Sequence, residues 1–200
     1  MSVENPIPEN TIPPITRAIP TDIQIVVDKK KMIVSKTDTK GKLIYGNEYF
    51  CELTGYKESD LIGASHNIIR HPDMPKAVFK LMWQYLNAGR SIMAVVKNMS
   101  KNGNYYWVTT DFDVVKDGNG EIKSYIAYRQ AAPAHVIEEM EKLYKKLLVI
   151  EEVHDLKAST AYLTAFLEEK NMNYDQFIAN LAKPKGLSAI FFSKMKKLFK

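Results

Sequence analysis

Cysteine is nearly absent: the 200-residue chain holds one, Cys51. A lone thiol excludes an intrachain disulfide framework and any multi-cysteine metal or iron–sulfur site, and it suits a reducing compartment. Histidine is scarce as well. His66, His71, His135 and His154 are the four present, and none stands at a metal-ligand spacing with another histidine or an acid. Neither Cys51 nor Ser65-His66 comes with the base and orienting third group that an activated nucleophile needs. No run approaches the roughly 18 consecutive apolar residues of a membrane-spanning helix. The opening "MSVENPIPEN" lacks the basic and apolar regions of a secretory signal. These absences predict a cytoplasmic protein that is not an enzyme.

Basic charge is present but confined. The net charge is +5, yet six of the 28 basic residues lie in "KPKGLSAIFFSKMKKLFK", residues 183–200, which has no acid; 22 remain against 23 acidic residues elsewhere. The body of the chain is neutral, which argues against nucleic-acid binding, since that needs a basic face on the folded domain. Within the tail, Leu187, Ile190, Phe191, Met195, Leu198 and Phe199 fall on one side of a helix, opposite Ser193, Lys196, Lys197 and Lys200. Such a basic amphipathic segment suits either an anionic membrane interface or a protein contact with the lysines solvated.

The chain divides into four parts. Residues 1–20 hold five prolines and little periodicity and read as an extended arm. Residues 21–132 read as one domain. It opens with two strands, "KMIVSKTD" and "KLIYGN", around the turn Lys40-Gly41, followed by short helices, one of which stops at Gly55. A strongly periodic helix then carries Val78, Leu81, Met82, Tyr85 and Leu86 and closes at Gly89. Three β-rich runs joined by Asn102-Gly103 and "DGNG" complete the domain as a meander. The order predicts an α+β fold, a five-stranded antiparallel sheet with helices on one face, able to hold a ligand between the two. Residues 133–182 form an amphipathic helical region whose Val136, Ile137, Met140, Leu143, Leu147, Ile150 and Val153 recur at three- and four-residue steps. That stripe suits homodimerisation, docking on a partner, or packing on the chain's own sheet. Residues 183–200 are the basic tail.

The cluster in "HNIIRHPDMPKAVFKLMWQYLNAG" carries the chemistry. Asp73 is placed to accept the first amides of the long helix, and Pro75 falls in its first turn. Arg70 and His71 have no such task, and cations beside a helix N-terminus call for an anion. The alternatives are an anionic ligand, or a surface Arg70–Asp73 pair worth at most about 1 kcal/mol.

The strings "DTKGKLIYGNEYFCELTGY", "LIGASHNIIRHPDMPKAVFKLMW" and "VKNMSKNGNYYWV", with the closing strand, resemble a PAS sensor domain over residues 32–131. "RHPDMP" and "KNGNYYWV" are similar to the FAD-binding PAS domain of bacterial aerotaxis receptors. That resemblance implies FAD between sheet and helices, and it places six cofactor-binding positions at Asn47, Arg70, His71, Asp73, Trp83 and Asn98. The chemistry of FAD agrees: a pyrophosphate for Arg70, a ring edge for Asn47 and Asn98, and ring packing on Trp83. Family members often carry a tryptophan in the strand after the long helix, where this chain has Ile92. The resemblance also implies the soluble half of a bipartite energy-taxis system, signalling to a membrane chemoreceptor. Two other readings share the fold: a haem sensor with His66 or His71 as axial ligand, and a cofactor-free adaptor whose cup is filled by Trp83, Phe79 and their neighbours.

Overall fold

The computed structural model describes residues 18–182, so the basic tail and most of the proline-rich arm lie outside the described residues. Strand β1 (Ile33–Thr37) turns back into β2 (Leu43–Gly46), and the turn is held by Asp38 Oδ1, which accepts from the amides of Lys40 and Lys42 at 2.9 and 2.8 Å. Helix α1 (Glu48–Thr54) ends on Gly55 at φ 70°, a left-handed stop that a side chain would strain. Helix α2 (Glu58–Leu61) and a 3-10 turn (His66–Ile69) lead into α3 (Lys76–Asn87). The meander follows as β3 (Ile92–Met99), β4 (Tyr105–Lys116) and β5 (Ile122–Ala131). All pairings are antiparallel and the strand order is β2-β1-β5-β4-β3, so the last strand sits at the centre of the sheet.

Alternation along the strands sorts side chains onto two faces. Ser35, Asn98, Tyr106 and Arg129 share the face toward α1–α3, and Val34, Lys97, Trp107 and Tyr128 share the other. The C-terminal extension, α4 (Ala134–Val153), α5 (Leu156–Glu169) and α6 (Tyr174–Ala182), covers part of that second face. Its apolar stripe is taken up there: Val136, Met140, Leu143, Tyr144 and Leu147 are all buried. The Tyr144 ring stacks on Trp107 with centroids 6.2 Å apart, and its hydroxyl donates to the Val95 carbonyl at 2.6 Å. Of the three uses the sequence left open for this stripe, the structure shows packing on the chain's own sheet.

The far end of α4 reaches back to α3. Glu151 accepts from the amides of Lys76 and Ala77 at 2.9 and 2.8 Å, and Ser159 Oγ on α5 donates to the same carboxylate at 3.2 Å. The cap expected from Asp73 is therefore supplied by a residue 75 positions away from Lys76. Pro75, at the boundary with extended backbone, supplies no side-chain cap of its own. Because this carboxylate satisfies two otherwise orphaned amides, Glu151→Ala is expected to cost about 1–2 kcal/mol. Urea unfolding measures it, and an unchanged midpoint would contradict the clamp.

Candidate ligand cavity

Helix α3 stands off the inner face of the sheet and leaves a slot. Phe79, Met82 and Trp83 form the helix side, and Phe112, Tyr125 and Ala127 face them from β4 and β5. Trp83 packs edge-on against Tyr125 with centroids 5.5 Å apart. On its other side the backbone of Gly41 comes so close that a Cβ there would lie 3.4 Å from the indole. About 660 Å³ of space lies between these atoms, part of it open to solvent, but only about 70 Å³ is wide enough for water to move in. The slot is narrow and mostly apolar, with Ser35, His66, Arg70, Asn98 and Arg129 among its polar lining.

Three of the six expected site residues meet there: Arg70, Trp83 and Asn98. Arg70 Nη2 donates to the Met74 carbonyl at 2.7 Å and its guanidinium lies 4.4 Å from the centre of the Phe79 ring. Asn98 is 3% exposed, and its side-chain nitrogen is buried with no acceptor in hydrogen-bond reach. Tyr106 lies opposite Asn98 across the strand pair, and its hydroxyl interacts with the Asn98 side chain. Burial, above all, raises the Tyr106 phenol well beyond its usual range, so it stays a neutral hydroxyl.

The other three lie outside the slot. Asn47 staples α1 to β1: its Oδ1 accepts from Val34 N at 3.0 Å and from Phe50 N at 3.1 Å, and its Nδ2 donates to the Met32 carbonyl at 2.8 Å. His71 is 3% exposed, accepts from the Asp73 amide through Nδ1 at 3.1 Å, and meets the Tyr105 ring edge-on at 5.9 Å. Asp73 takes the Lys97 ammonium at 2.6 Å on the outward row of β3. These contacts fasten the loop that carries Arg70 to the edge strand. Ile92, where the family often has tryptophan, is 1% exposed in the core and does not line the slot.

Two further lining residues, Arg129 and His66, are not among the six expected site positions. Arg129 lines the slot and is fully buried, donating to Ser35 Oγ at 3.0 Å, with its Nη2 2.8 Å from His66 Nε2. The signal was available: Arg129 keeps the two-residue phase of Tyr125 and Ala127, which points all three inward. His66 also packs its ring over Phe50, with centroids at 6.2 Å. Burial first, and the Arg129 charge second, pull its imidazole from 6.5 down to about 3, so it is neutral and offers Arg129 an acceptor. On unfolding this histidine takes a proton below pH 6.5 that the folded state refuses. Its contribution to stability is whole above that pH and is lost as pH falls toward 3, at up to about 1.4 kcal/mol per pH unit. Urea titrations at pH 7, 6 and 5 are expected to show this slope, reduced by one proton in His66→Gln; identical slopes would contradict it.

Residues 43–129 match the family model described as PAS fold, and the strand order with its flanking helices is that fold. Over 116 residues, 58% of this chain, the sequence is 39% identical to the aerotaxis receptor of Escherichia coli (strain K12), of which the match covers 22%. It is 26% identical over 130 residues, 65% of this chain, to the nitrogen fixation regulatory protein of Klebsiella oxytoca, covering 26% of that protein. Among solved structures, the dark structure of the blue-light photoreceptor Aureochrome1 LOV is 21% identical over 60% of this chain and 86% of that one, with a TM-score of 0.48. The chain spans about a quarter of the length of the curated relatives it matches. Residues 43–129 have the PAS fold, and the chain around them is similar in sequence to the aerotaxis receptor.

Proposed function

We propose that the slot holds FAD and that the chain is a cytoplasmic redox sensor for energy taxis, signalling to a membrane chemoreceptor. One observation carries this reading: a narrow aromatic slot is lined by the Asn98 amide, whose buried nitrogen has no hydrogen-bond partner of ordinary geometry, and by Arg129, whose charge meets only neutral acceptors. A planar ring with carbonyl and ring-nitrogen acceptors along its edge answers both, and the aromatic walls suit its faces. Arg70, at the slot and beside Phe79, is placed to receive phosphate. Bound flavin supplies reversible electron transfer. Asn47, His71 and Asp73 then act at one remove, holding the elements that carry Arg70 and Asn98.

Loading so narrow a slot presses α3 away from the sheet. The Glu151 clamp passes any such displacement to α4 and α5, and the Tyr144–Val95 bond ties α4 to the strand that carries Asn98. A change of charge on the ring therefore biases two packings of the C-terminal helices, which is what a partner reads. Exposed Val149 and Val153 on α4 give a homodimer or a receptor an apolar foothold. No helix among the described residues is long and apolar enough to cross a membrane. The basic tail would bring the sensor to the inner face of the membrane.

The haem reading fits less well. His66 Nε2 is already committed to Arg129 and Ser35, and His71 points away from the slot. A cofactor-free adaptor leaves the buried polar atoms unexplained. Hydrogen exchange on the FAD-loaded protein, oxidised and chemically reduced, tests the sensing route. Reduction is expected to change protection at Lys76, Ala77 and along α4, whereas identical exchange in both states would contradict it.

A further inference from the structure

Among the described residues Arg129 is the largest fully buried side chain, and it is charged. Burial lowers its pKa to about 10, which still leaves the guanidinium protonated at neutral pH. No carboxylate among the described residues pairs with it. Its neighbours are Ser35 Oγ, His66 Nε2, the Ala127 carbonyl at 3.5 Å, the face of Phe50 at 5.8 Å and the Tyr106 phenol, which burial keeps protonated, and every one of them is neutral. A buried cation without a counter-charge carries a desolvation penalty that neutral acceptors offset only in part. The position does not require it. Ala127 and Tyr125, on the same row of β5, show that the inner face takes small or aromatic side chains. A sequence that breaks its own packing rule in the wall of a cavity does so for what the cavity holds.

We propose that Arg129 is the charge-reading residue of the cavity: aimed by Ser35 and His66, its guanidinium takes the electron-rich edge of the bound ring and stabilises the negative charge that reduction places there. The inference rests on the FAD reading above and adds to it the group that sets the potential. His66 serves as a positioning residue. As a neutral acceptor it holds the guanidinium without cancelling its charge, which a carboxylate in its place would do.

The proposal sets stability against binding. Removing Arg129 relieves a buried charge in the empty protein and removes the ligand's partner in the loaded one, whereas a purely structural arginine would lose stability in both. Arg129→Met and Arg129→Lys are compared with the natural chain by urea unfolding without FAD, by titration with FAD, and by equilibration of the loaded protein with redox dyes. Arg129→Met is expected to match or exceed the natural chain in ligand-free stability, and to bind oxidised FAD at least tenfold more weakly. A further tenfold loss toward reduced FAD lowers the midpoint potential by about 30 mV. Arg129→Lys, which keeps the charge, is expected to stay near the natural potential. If Arg129→Met binds FAD with unchanged affinity and potential, the inference falls and the FAD reading stands; if the natural chain takes up no FAD, both fall. Should the methionine variant not fold, Arg129→Gln against Arg129→Lys decides the same point, and equal potentials in those two overturn the proposal.

Discussion

Tyr144→Ala is expected to be the most damaging single substitution in the C-terminal extension, costing about 3–5 kcal/mol. The ring is fully buried and stacked on Trp107, and the hydroxyl joins the Val95 carbonyl to the Tyr174 hydroxyl, so the change opens a cavity and strands two polar groups at once. Tyr144→Phe separates the two contributions, since it keeps the packing and is expected to cost only about 1–2 kcal/mol for the unpaired partners. The Tyr144 phenol is held far above its usual range by burial, so neither value should change between pH 6 and 9. Urea unfolding gives both numbers. A loss below about 1 kcal/mol for the alanine variant would mean that α4 is not anchored through this residue, and the route from β3 to the helices would fail with it.

Arg70→Ala is expected to empty the cavity while leaving the fold standing. Within the protein the side chain makes a bond to the Met74 carbonyl and a stacking contact with Phe79, which together account for about 1–2 kcal/mol. In the proposed FAD complex the same side chain meets a doubly charged pyrophosphate, and losing a charge-assisted bond of that kind weakens binding by about tenfold or more. The flavin-to-protein absorbance ratio after gel filtration is expected to drop to a small fraction of that of the natural chain, with unfolding still cooperative. Full flavin content in the variant would remove Arg70 from the site.

The strands and α3 were legible because their signals are local. The Lys40-Gly41 and Asn102-Gly103 turns, the two-residue alternation of "YYWVTTDFDVV" and the 3.6-residue stripe of α3 each depend on neighbours a few positions apart. The cap of α3 was not legible, because Glu151 arrives from a helix that no sequence period links to Lys76. The site divides along the same line. Arg70 and Trp83 follow from a loop and a helix face that the sequence marks clearly. His71 and Asp73 share a short string with Arg70, but the chain crosses the edge of β3 between them, so Arg70 faces the slot and the other two face Lys97 and Tyr105. Proximity in sequence overstated the cluster. Arg129 was missed for the converse reason: its partners Ser35 and His66 come from β1 and the 3-10 turn, and only the sheet order β1-β5-β4 brings them together.

The visible absorption spectrum of the purified chain, taken as isolated and again after incubation with FAD and gel filtration, decides whether the slot holds flavin. The two broad bands of a protein-bound flavin are expected, at about one flavin per chain. A protein that stays colourless after incubation with FAD, or one that shows the single intense violet band of haem, would contradict the FAD reading.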